Sequence, residues 1–137
     1  MTVHIKKLSV GSTSLESLKE SQKRRLAKGD RIVHVTRNRP RRADELLDGG
    51  SIYWIIRGVM TARQAICDIV EAQRNDGSFG CGIVLSPEIV PVMPIRMRIF
   101  QGWRYLEIAD TPPDLSLEDG DDMPTELVAE LRALGIF

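Results

Sequence analysis

Six arginines surround one aromatic pair between Arg37 and Gln64. Guanidinium groups hold phosphates, and aromatic rings beside them stack on planar bases. The stretch reads RNRPRRADELLDGGSIYWIIRGVMTARQ, with Tyr53-Trp54 inside an apolar run. A second arginine-aromatic cluster, FQGWRYL, covers Phe100–Leu106. Phosphate contacts are expected from Arg37, Arg39, Arg41 and Arg42. Stacking or pocket walls are expected from Tyr53, Trp103 and Tyr105, and hydrogen-bond donors from Arg57, Arg63, Gln64, Gln101 and Arg104. Arg63 and Gln64 would point to opposite faces of a strand, so at least one meets a core and needs partners there.

Catalytic chemistry has thinner support. His34-Val-Thr36 sets an imidazole and a hydroxyl on one strand face, a spacing used by phosphoesterases that carry two such motifs. The only other histidine lies in His4-Ile-Lys6, which is half a signature. Asp44, Glu45 and Asp48 form a carboxylate group in which Asp44 and Asp48 are helix neighbours four apart, but no histidine stands near them, so local pairing with Arg41 and Arg42 is expected instead of a metal. Asp48-Gly49-Gly50-Ser51 lacks the Lys-Ser/Thr of a phosphate loop and reads as a helix stop. No catalytic residue, metal or cofactor is expected.

Net charge is zero, yet it is sorted along the chain. Residues 1–63 hold 14 Lys/Arg against 6 Asp/Glu, while residues 107–137 hold one base against nine acids. A basic half attracts polyanions, and an acidic tail can compete for the same surface. At 137 residues the chain suits one main domain, expected over 1–115, followed by an acidic linker and amphipathic helix over 116–137. Residues 119–137 are the expected contact for a protein partner. Two cysteines without metal spacing, no long apolar run and no secretory signal point to a reduced, cytoplasmic protein off the membrane.

The elements that must position these groups follow from pattern. His4–Val10 reads as a strand. Thr13-x-x-Glu16 reads as a capping box, opening a helix over 14–28 with Leu15, Leu18 and Leu26 inward and Gly29 as its stop. Arg31–Arg37 and Ser51–Arg57 are strands, with a short helix over Arg41–Leu47 between them. Residues 59–72 fit a helix or a strand; the Asn75-Asp76-Gly77 turn favours a hairpin into Phe79–Leu85. Three prolines punctuate an extended segment, Ile95–Leu106 is a strand with Gly102 as a bulge or close approach, and Thr125–Leu134 is a last helix. This order is α+β, with a small curved mixed sheet or barrel, flanking helices and a C-terminal helix.

The strings RADELLDGGSIYWIIRG, ARQAI and FQGWRYL resemble an uncharacterised bacterial family, domain-of-unknown-function family 1489, over nearly the whole chain through Leu115. The acidic helix after Asp119 is the part least expected in the shared domain. The element order is also similar to the PUA-like superfamily of PUA, ASCH and EVE domains. That resemblance implies a pseudo-barrel and a non-catalytic pocket for RNA or a modified base between helix and barrel. The protein-interaction reading through the acidic helix is the alternative, and a phosphoesterase using His34 is the third.

Overall fold

The computed structural model describes residues 1–9, 12–98, 100 and 102–115. The helix expected over 125–134 and the boundary expected at 116 lie outside the described residues. Seven strands and two helices follow as β1 (His4–Leu8), α1 (Leu15–Ala27), β2 (Ile32–Thr36), α2 (Ala43–Leu47), β3 (Ser51–Ile56), β4 (Val59–Gln73), β5 (Phe79–Leu85), β6 (Val90–Arg96) and β7 (Trp103–Leu106). The protein is α+β. Of the two expected architectures, the curved mixed sheet is the one formed. It runs β2-β5-β4-β3-β1-β7, with β6 beside β4. Only β1 and β3 are parallel.

The 15-residue strand β4 organises the sheet, so the hairpin reading of residues 59–72 holds and the helical one does not. Its first half pairs with β3 on one edge and β6 on the other, and its second half pairs with β5. Register slips leave Thr61 unpaired with β3 and Cys67 unpaired with β5. Each extra residue bends and twists the strand locally, which is how one long strand serves a curved sheet. Arg57 (φ 53°) and Gly58 (φ 78°) both take positive φ between Ile56 and Val59, the backbone of a two-residue type I′ turn. Arg57 therefore stands on a turn and not on a strand face.

Both faces of the sheet are covered, which is why all six residues of β3 are buried. Ile52, Trp54 and Ile56 join Ile5, Ile83, Leu18 of α1 and Leu46 of α2 on one side. Tyr53 and Ile55 join Met60, Val92 and Leu106 on the other. The alternation expected for Ser51–Arg57 is correct, but it separates two cores and not a core from solvent.

Helix α1 departs from the expected stripe. Its buried residues are Leu15, Leu18 and Gln22, while Leu26 is 41% exposed. Leu26 keeps nearly the angular position of Leu15, but it lies in the last turn of the helix, where it borders a surface hollow with Pro87 and Ile89. The capping box also sits one residue later than Thr13. The Ser14 hydroxyl accepts from the Ser17 backbone N–H and the Ser17 hydroxyl accepts from that of Ser14, both at 3.1 Å. Ile95–Leu106 is two strands, not one. Gly102 has a positive φ (72°) with no atom near its missing Cβ, so it is needed for backbone freedom and not for close approach.

Candidate functional site

Gln64 is fully buried and carries four hydrogen bonds across three elements. Its Oε1 accepts from Trp54 Nε1 and from Gln22 Nε2, each at 3.0 Å. Its Nε2 donates to Gln22 Oε1 (2.5 Å) and to the Ser86 carbonyl (2.8 Å). The reciprocal amide pair fastens α1 to β4, and the Ser86 bond fills the gap between β5 and β6. Gln64 is an internal organiser with no capacity left for a ligand.

Arg63, on the other face, is equally committed. Its guanidinium grips Asp114 through two bonds of 2.6 and 2.7 Å, holding residues 111–115 beside β6, where Val92 and Asp114 form a bridge. That pairing holds the Asp114 carboxyl below its ordinary range. Arg42 binds Glu45 (2.6 and 2.9 Å) and Glu107 (2.7 Å), and lies over the Tyr105 ring. The local pairing expected around Arg42 is thus met by Glu45.

The aromatic rings also turn inward. Tyr53 is 4% exposed, packed edge-on against His4, and burial raises its hydroxyl pKa. Trp103 and Tyr105 meet edge to face at 5.0 Å against the larger core, and the Tyr105 hydroxyl accepts from the Arg42 backbone N–H. Tyr53, Tyr105, Arg42, Arg63 and Gln64, expected at a ligand, are thus occupied by packing and by each other. Arg37, Arg39, Arg41, Arg57 and Arg104 are exposed, with Arg104 beside the Phe100 ring. Gln101 lies outside the described residues.

The two histidines sit on opposite faces of the sheet: His4 against Tyr53, His34 against Trp54. The Thr36 hydroxyl donates to the Asn38 carbonyl. A paired-histidine acid–base arrangement therefore does not form. Among the described residues, no three His, Cys, Asp or Glu side chains gather to hold a metal. No helix among them is long and apolar enough to cross a membrane.

What the structure does assemble is a cavity of about 190 Å³ where α1 bridges β1 and β2. Lys7 and Arg25 line it, with His34, Trp54 and Gln22 deeper and three serines around them. Among the described residues, no carboxylate lines it. Lys7 aligns with Trp54 of β3 on one side and Trp103 of β7 on the other, so its stem lies in a row with two indoles. Burial lowers the Lys7 pKa.

His34 Nε2 is buried without a hydrogen-bond partner, 5.7 Å separating its ring from that of Trp54. Burial first, then the charges of Lys7 and Arg25, lower its pKa to about 4. The imidazole is therefore neutral near neutral pH. Pattern reasoning undervalued Lys7 and Arg25. The signals were a lysine in phase with inward Ile5, and an inward helical stripe that turns polar at Gln22, one turn before exposed Arg25.

A pH dependence of stability follows. The unfolded imidazole takes a proton near its ordinary pKa of 6.5, while folded His34 resists until about 4. Between those values the unfolded state binds more protons, so His34 withdraws stability as pH falls through this window. Relative to His34→Gln, the wild type should lose about 2 kcal/mol between about pH 7 and pH 5 in urea unfolding. Equal losses in both proteins would show that the imidazole is not held neutral.

Fold and cavity together define the class: an α+β protein on one open, curved, mixed sheet, with a cationic cavity beneath its first helix. The chain belongs to the family described as Protein of unknown function (DUF1489), which it matches over residues 5–137. That match takes in the acidic tail, which the shared strings themselves do not reach. Among curated proteins and among solved structures nothing matches the chain, so the likeness to PUA-like domains rests on element order alone.

Proposed function

We propose that this protein is a non-catalytic binding module for single-stranded nucleic acid, RNA before duplex DNA, which seats one nucleotide unit under α1. The observation that carries the reading is a cavity that, among the described residues, has two cations, a buried imidazole nitrogen without a hydrogen-bond partner and no carboxylate. Its volume of about 190 Å³ falls below the ~300–1,000 Å³ of pockets for drug-sized ligands. One phosphate or one base fits that scale, and an extended cofactor does not. Duplex DNA presents no splayed nucleotide to such a cavity, whereas single-stranded RNA does. Exposed Arg37, Arg39, Arg41, Arg57 and Arg104 supply further phosphate contacts around the basic half.

Fluorescence anisotropy with labelled oligoribonucleotides tests this. Binding should appear at low salt and weaken as salt rises. The double variant Lys7→Gln, Arg25→Gln should bind at least about tenfold more weakly, with its salt slope reduced by about 1.4 if both contact phosphates. The His34 imidazole, followed by NMR, should shift its pKa upward when an oligomer fills the cavity. Absence of binding at low salt, or unchanged affinity in the double variant, removes the reading.

A further inference from the structure

We infer a second contact for the same strand, a base-stacking platform at Phe79 near the opposite end of β2. It rests on the nucleic-acid reading above and extends it. Phe79 is 74% exposed, far beyond Tyr53 and Trp54 at 4% and 6%. It shares a hollow of about 280 Å³ with Arg37, Asn38 and Arg39. Among the described residues, Glu71 is the one carboxylate lining that hollow, against the two arginines Arg37 and Arg39.

A single exposed phenylalanine is ordinary on a protein surface. This one is set apart by its surroundings. Two arginines and an asparagine border the ring, so the patch is too polar to be the core of an apolar protein interface. The same neighbours suit a nucleotide, whose base takes the ring face while its phosphate takes the guanidinium groups.

Strand β2 ties the hollow to the first cavity. Ile32, Val33 and His34 line the cavity, and Arg37 follows directly after Thr36, the last residue of β2. Arg37 is three residue steps on from His34, on the order of 10 Å at ~3.3 Å per residue. One short oligomer spans that distance, since single-strand sites take ~4–16 nucleotides on a small β domain. The cavity under α1 holds a phosphate-bearing unit, and Phe79 holds a neighbouring base.

The test compares an eight-nucleotide RNA with an abasic strand of the same length, on the full chain. Phe79→Ala should weaken binding of the RNA by about five- to hundredfold and leave the abasic strand unchanged, because stacking needs a base. Phe79→Trp should restore the affinity. The Lys7→Gln, Arg25→Gln variant should weaken both ligands. Because Phe79 is exposed, circular dichroism and unfolding should match the wild type. If Phe79→Ala binds the RNA as the wild type does, the platform is overturned while the cavity reading stands. If the wild-type protein binds neither strand, both fall together.

Discussion

Replacing Gln64 by Leu should lower folding stability by about 3–5 kcal/mol, because it strands several buried polar groups at once. The Trp54 indole N–H loses its acceptor, and both ends of the Gln22 amide lose their partners. Gln22 and Trp54 are each 6% exposed, so water does not readily replace what is lost. Each buried unsatisfied group costs ~1–3 kcal/mol, and the whole fold is worth only ~5–15. The Ser86 carbonyl is half-buried and finds water more easily, so it adds little. Urea unfolding measures the loss. The double variant Gln22→Leu, Gln64→Leu should be less damaged than the sum of the single changes by about 1–3 kcal/mol, since removing both partners leaves no orphan amide. A single-variant loss below about 1 kcal/mol, with additive effects, would mean that the amide pair does not hold α1 to the sheet.

The second large effect is expected at Gly50, where alanine should cost about 3 kcal/mol or more through overpacking against main chain. An added Cβ would lie 2.5 Å from the Leu46 carbonyl oxygen, 2.5 Å from that of Val3 and 2.9 Å from the Leu46 Cα. All three are backbone atoms, so no side chain can swing aside. Gly50 also donates to Leu46 and accepts from the Ile66 N–H, so moving it pulls on α2 and β4 together. Gly49 is the useful contrast. It has a positive φ (83°), but an added Cβ there would come no nearer than 4.0 Å to the Thr2 hydroxyl. Alanine at Gly49 meets backbone strain of ~1–2 kcal/mol without a collision. Thermal and urea unfolding of the two variants should rank Gly50→Ala well below Gly49→Ala. The reverse order would contradict the close crossing of α2 and β1.

Much of this architecture is legible in the residues. The Asp76-Gly77 turn and the β-compatible runs beside it set the β4–β5 hairpin, because a tight turn and period-two burial are local properties. The same holds for Ser51–Ile56, whose alternation correctly divides Trp54 from Tyr53. The second core was not legible, because nothing local says that both faces of β3 are covered. Tyr53 beside arginines looks like an exposed stacking ring until Leu106 and Val92 arrive from distant segments. The arginines misled for the same reason. Glu107 and Asp114 lie 65 and 51 residues from the arginines they bind.

What the chain determines by itself is its elements: short-range spacing, turn residues and caps act within a few positions, and so does the excess of positive charge in its first half. What only the tertiary structure decides is which of those charges remain available. Folding over long sequence separations binds Arg42 and Arg63 into ion pairs, closes Gln64 into an amide network, and carries Lys7, Arg25 and His34 to one cavity. A buried partner quenches a donor wherever it comes from in sequence, and a cation left without a carboxylate keeps its field. The arginine-rich segment stands out in the sequence, but only folding brings Lys7 and Arg25 to the cavity under α1.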